Sequence, residues 1–180
     1  MSSLDQDYIG IFFKEYIFGV MYNDIRRTID KAKANFLVAL GLFSYTEIMG
    51  GFVTGHLRDF RWSKRNFEAF LPYLGTYYNN LNQQIDLYTR VRCGLVHEYF
   101  IKGRFMIAIK CMHACIDQEN RRGVYYDRKL DHIIVAVENY FQDFKAGVQR
   151  FYEILKSDNP EAVRKFMNAV RFPSAGERQI

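Results

Sequence analysis

The chain has 180 residues, long enough to bury one sizeable core, and 49% of them are hydrophobic and 17% aromatic. This composition excludes a disordered chain, and a net charge of +5, from 25 basic and 20 acidic residues, permits an anionic partner without demanding one. Three prolines, Pro72, Pro160 and Pro173, are few breakers for this length and favour helix.

Residues 7–20 form the first predicted helix. A longer helical pattern follows from Asn23 to Thr54, with Asn23 or Asp24 as its cap. Ile25, Ile29, Ala32, Phe36, Leu40, Phe43 and Ile48 mark its buried stripe. Within it, FLVALGLFSYTEIMGGFV (36–53) is about a bilayer long. A charge at membrane depth, such as Glu47, costs roughly 2.5 kcal/mol or more, so a buried bundle helix and no membrane span are expected. Gly50 and Gly51 weaken the end of this helix, and GHLRDFRWSKR reads as a polar loop.

A third helix fits residues 65–82 and a fourth residues 84–100, stopped by Lys102 and Gly103. RFMIAIKCM then alternates, QENRRG reads as a turn and GVYYD as a second short strand, which predicts a β-hairpin over 104–127. Asp131 caps a further helix through DHIIVAVENYFQDFKAGVQRFYEILKS, and Pro160 opens a last short one. Residues 173–180 read as a frayed tail. The expected fold is mainly α: an up-and-down bundle of five to six helices with one inserted hairpin, a single domain over 1–172.

Three cysteines, Cys93, Cys111 and Cys115, are an odd number and read as reduced thiols. MSSLDQDYIG carries aspartates where a secretion signal carries lysine or arginine, so a cytoplasmic location is expected. Cys111, His113 and Cys115 invite a metal, but on a strand the two cysteines stand roughly 13 Å apart, too far for one zinc ion. No metal or other cofactor is expected, and no phosphate-binding glycine loop, dinucleotide fingerprint or serine elbow occurs.

RVRCGLVHEYF (90–100) concentrates two arginines, a histidine and two aromatics. On a regular helix Arg90 and His97 differ by about 20° of rotation and share a face, with Cys93 a close neighbour of His97. Arginine and histidine together suit metal-free phosphodiester cleavage. Histidine exchanges protons near neutral pH, and arginine grips phosphate oxygens as charge builds. A symmetric dimer supplies a second histidine to a shared cleft. The same residues also fit an ordinary helix face paired with nearby acids such as Asp86 and Glu98.

Arg92-Cys93-Gly94-Leu95-Val96-His97 resembles the arginine, four-to-six residues, histidine signature of the HEPN superfamily. His97-Glu98-Tyr99 extends it to the form of HEPN toxins, in which a tyrosine follows the histidine by two. Arg90 satisfies the looser spacing, so either arginine can be the motif's; Arg92 is preferred. The resemblance implies an α-helical homodimer with a composite cleft and metal-independent endoribonuclease activity. In the toxin branch it also implies a nucleotidyltransferase-type antitoxin that modifies the tyrosine, here Tyr99. Cys93 departs from the polar residue usual after the arginine, and HEPN members without activity serve as modules that bind nucleotide, RNA or a partner protein.

A second candidate is RDFRWSKR, where Arg58, Arg61, Lys64 and Arg65, with His56 nearby, interleave with Phe60 and the sole tryptophan, Trp62. Aromatics stack on unpaired bases while cations hold phosphates, so RNA is the expected ligand; the other reading is a solvated loop anchored by its aromatics.

Overall fold

The structure, a computed structural model, describes residues 3–97, 105–109, 122–157 and 159–171. Tyr99, Cys111, His113, Cys115, Lys102, Gly103, residues 118–121 of the predicted turn QENRRG and the predicted tail lie outside the described residues, as does the side chain of His97. The architecture is a mainly α bundle with a small β insertion, as the sequence predicts, and the insertion is a three-stranded sheet.

The chain starts as α1 (Ser3–Phe12) and continues through a wider π-wound stretch, Phe13–Met21, into α2 (Tyr22–Arg27) and a second π-wound stretch, Thr28–Ala32. This arm ends where Lys33 adopts a left-handed φ of 50°. The predicted helix from Asn23 to Thr54 is therefore two elements, and α3 begins at Asn35 and runs to Thr54. Asn35 fixes that start: its Oδ1 accepts the Phe36 N–H at 2.8 Å, and its Nδ2 donates to the Ile107 carbonyl at 3.2 Å.

α3 is the central helix. Among the described residues it is the one helix long and apolar enough to cross a membrane, with mean hydropathy 1.6, and half of it is buried inside the bundle. α4 (Ser63–Leu74) crosses it backbone to backbone at Gly50, where an added Cβ would lie 1.6 Å from the Asn66 carbonyl oxygen. Gly75, at φ 133°, divides the predicted third helix into α4 and α5 (Thr76–Ile85). Asp86, at φ 48°, then separates α5 from a π-wound turn, Tyr88–Cys93, which leads into α6 (Gly94–His97).

The predicted strands exist as β1 (Phe105–Ala108) and β2 (Val124–Asp127), but they do not pair with each other. A third strand, β3 (His132–Ala136), lies between them, parallel to β1 (Phe105 opposite Ile133) and antiparallel to β2 (Val124 opposite Val135). The tight hairpin is thus β2–β3, and the helix expected from Asp131 starts only at Val137 as α7 (Val137–Lys156). Asp131 is no helix cap; it sits in the turn before β3 at φ 54°. Ile133, Ile134 and Val135 are buried, and such a short β-branched run suits a strand once two partners are available. α8 (Pro160–Val170) starts as predicted, with Pro160 in its first turn and Asn159 Oδ1 accepting the Ala162 N–H at 3.0 Å.

The core lies between α3, α4, α7, α8 and the arm and is dense in aromatics. Phe13, Phe43, Phe67, Phe70, Tyr140, Phe144, Phe151 and Phe166 are fully buried. Its buried hydroxyls are satisfied: Tyr140 and Thr46 share a hydrogen bond of 2.8 Å, and Tyr78 donates to the Asp143 carboxylate. The Gly123 N–H, just before β2, joins Tyr78 and Asp143 at 3.1 and 3.2 Å and so fastens the sheet to α5 and α7.

Candidate functional site

The two stretches that the sequence singles out lie on adjoining elements. Asp86 organises the first. Its carboxylate accepts from the Thr89 N–H (3.1 Å) and hydroxyl (2.9 Å), which caps the turn that carries Arg90, Arg92 and Cys93. The same carboxylate accepts from Lys64 Nζ at 2.9 Å, and this bond ties the start of α4 to the turn. Burial opposes ionisation of Asp86, but the bonds from Lys64 and Thr89 outweigh it and hold the carboxyl below its ordinary value. The bond to Asp86 in turn raises the Lys64 ammonium, with Glu68 and Cys93 adding to the effect. Asp86 is thus the partner of a lysine and not, as the sequence suggested, of Arg90 or Arg92.

Arg92 is paired with Glu47 of α3, Nε to Oε2 at 2.5 Å, with side chains only 19% and 15% exposed. The approach is oblique, and neither atom has an aligned hydrogen bond among the described residues, so charge and not direction holds the pair. The guanidinium also lies over the Tyr88 ring, 5.6 Å from its centroid. Burial, followed by the Cys93 side chain, raises the Tyr88 hydroxyl above its ordinary value. Arg90 is exposed. His97 ends the described helix immediately after this turn. Glu47 was not anticipated as a site residue, although its signal was present: it is the one charge within residues 36–53, and a lone charge in an apolar helix needs a partner.

The second stretch is a loop held from below by Asn66. That side chain is buried; it donates to the His56 carbonyl at 3.0 Å and accepts from the Thr54 hydroxyl at 2.6 Å. A 3₁₀ turn, Phe60–Trp62, follows, capped by the Asp59 carboxylate on the Arg61 N–H at 3.1 Å. The fixed loop stacks His56 on Trp62, with ring centroids 3.7 Å apart and planes 13° apart, and sets Arg65 over the same indole at 5.1 Å. Phe60 projects beside it, 85% exposed. A groove of about 540 Å³ runs along the loop, lined by His56, Arg58, Phe60 and Arg61 and by Asn168 and Ala169 of α8.

The predicted cations are not equivalent. Arg61 is held by Asp59 through two bonds, 2.9 and 2.8 Å, which keep that carboxyl below its ordinary value. Lys64 serves Asp86, Arg65 is stacked on Trp62, and Arg58 lines the groove. Among the described residues no three His, Cys, Asp or Glu side chains cluster to hold a metal ion. The loop therefore offers aromatic faces beside cations, while the Arg92 turn offers a guanidinium already engaged by a carboxylate. In comparisons with protein-family models, curated proteins and solved structures, nothing matches this chain.

Proposed function

We propose that the chain is a HEPN-like module that binds single-stranded RNA along the face from Phe60 and the His56–Trp62–Arg65 ladder to Arg90. The observation that carries this reading is the ladder itself. A histidine and an arginine stack on the sole tryptophan, next to an almost fully exposed phenylalanine and above a groove. Such a platform takes bases of any identity on its aromatic faces while neighbouring cations meet the phosphates. The Lys64–Asp86 bond extends it towards Arg90.

A second reading, metal-independent cleavage of the bound RNA, is favoured by the fixed position of Arg92. Glu47 holds it by charge on the turn that leads into the helix end at His97, so in this reading the acid–base and phosphate-binding roles fall to neighbouring residues on one segment. In that reading a second copy supplies the second histidine, the protein works in the cytoplasm, and a nucleotidyltransferase-type antitoxin modifies Tyr99.

One titration tests both readings. Single-stranded RNA added to the chain in EDTA should change the Trp62 fluorescence directly, with affinity falling steeply as salt rises. Phe60→Ala and Arg65→Ala should each weaken binding by about 5- to 150-fold, the value of about 1–3 kcal/mol for a stacked base. RNA recovered from the mixture reports cleavage: 2′,3′-cyclic phosphate ends that vanish with His97→Ala establish the second reading. Trp62 emission unmoved by RNA at low salt would falsify the first.

A further inference from the structure

The helical arm has two apolar faces where a bundle needs one. Ile9, Phe13 and Ile17 are fully buried, and Phe13 packs on Tyr152, Phe151 and Phe166. On the opposite side Leu4, Tyr8, Ile11, Tyr16 and Val20 are exposed by 77, 42, 61, 57 and 53%. Their steps are four, three, five and four residues. The five-residue step enters the π-wound stretch, whose wider turn returns Tyr16 to the same side. Five large apolar side chains on one face form a stripe roughly 24 Å long.

We propose that this stripe is the surface through which two copies of the chain associate. A two-fold interface must be complementary to itself, and the stripe has that symmetry. If two arms lie antiparallel about an axis near Phe12, Leu4 meets the partner's Val20, Tyr8 meets the partner's Tyr16, and Ile11 lies beside the axis in both copies. The size also fits. At about 150–250 Å² for a fully exposed large side chain, the stripe offers roughly 500 Å² per copy, and two copies bury roughly 1,000 Å², where specific interfaces begin. The charge beside the stripe argues against a lipid surface: between Leu4 and Val20, Asp7 and Glu15 are exposed beside one exposed cation, Lys14, and further along the arm the exposed Arg26, Arg27 and Lys31 are interspersed with exposed Asp24 and Asp30, whereas helices that lie on membranes carry an excess of lysine and arginine.

This association does not depend on the RNA reading, so it is measured without RNA. Light scattering of the purified full chain at micromolar concentration should give the mass of two chains. Ile11→Glu places two like charges at the axis, and Tyr16→Glu buries one opposite Tyr8. Each should return the mass to one chain and weaken association at least tenfold, with helical circular dichroism and thermal midpoint retained because both side chains are exposed. Leu130→Glu, on the turn before β3, should remain a dimer. A monomeric wild type overturns the proposal, as does a dimer that survives both substitutions. Binding of a monomeric wild type to phosphatidylcholine vesicles, lost in Ile11→Glu, assigns the stripe to lipid and overturns it too.

Discussion

Arg92 shows what a residue's sequence neighbours reveal and what they leave out. Its charge and its spacing from His97 are legible in the chain, and acids within a helical turn or two are the natural partners to test. The partner is instead Glu47, contributed by α3 across the bundle. Because both side chains are largely buried, removing one strands the other without compensation, which is worse than removing both. Arg92→Leu and Glu47→Leu should each cost about 2–4 kcal/mol of unfolding free energy, whereas the double variant should cost less than either alone. Urea unfolding of the four proteins measures the coupling, and simple additivity would show that the pair contributes nothing specific. The same result bears on function, since activity lost in Arg92→Leu has meaning only in a folded protein; Arg92→Lys, which retains the charge, separates the two effects.

At the scale of elements, hydrophobic periodicity located the helices but not their breaks. The break at Lys33, a non-glycine residue with left-handed φ, was unforeseen, because a single residue that leaves the helical region does not disturb an apolar stripe. Asp86 and Asp131, also at left-handed φ, place the break expected at 82–84 a few residues later and turn the expected helix start at 131 into a strand entry. The β3 run was ambiguous for another reason: HIIVAV buries equally well as a helix turn or a strand, and β1 and β2 decide the matter. Glycines mark where elements touch. An added Cβ would lie 1.6 Å from the Asn66 carbonyl oxygen at Gly50 and 2.2 Å from the Tyr140 Cα at Gly123, and backbone cannot yield cheaply. Gly50→Ala and Gly123→Ala should each lose about 3 kcal/mol or more, or fail to fold. Gly10→Ala, on α1 with only the Tyr152 hydroxyl at 4.0 Å, should be neutral or gain about 0.5–1 kcal/mol. Thermal melts rank the three, and a destabilised Gly10→Ala would contradict the packing of the arm.

Over the whole molecule, aromatic burial sets the response to alkali. Burial raises the hydroxyls of Tyr22, Tyr78 and Tyr140, and Tyr45 is pushed up to about 12 by burial and by the Asp24 carboxylate that it meets. Above pH 10 the unfolded chain ionises these groups while the folded chain keeps their protons, so stability falls as pH rises through that range. The share of the tyrosinate absorbance that comes from Tyr22, Tyr45, Tyr78 and Tyr140 should therefore appear together with loss of circular dichroism above pH 10, and Tyr45→Phe should make the descent shallower between 10 and 12. Tyrosinate absorbance that is complete before circular dichroism is lost would mean that these hydroxyls are accessible. The sequence by itself determined the mainly α class, the two short strands around residues 105–108 and 124–127, the start of α8 and the two stretches rich in arginine and aromatics, because these depend on local pattern and residue chemistry. Only the tertiary structure decided that β3 divides the two strands, that Glu47 engages Arg92, that Asp86 and Asp59 occupy Lys64 and Arg61, and that His56 stacks on Trp62. Each of these depends on which distant or turn-separated groups packing brings within reach, and hydrophobic burial, which drives the packing, carries no direction of its own.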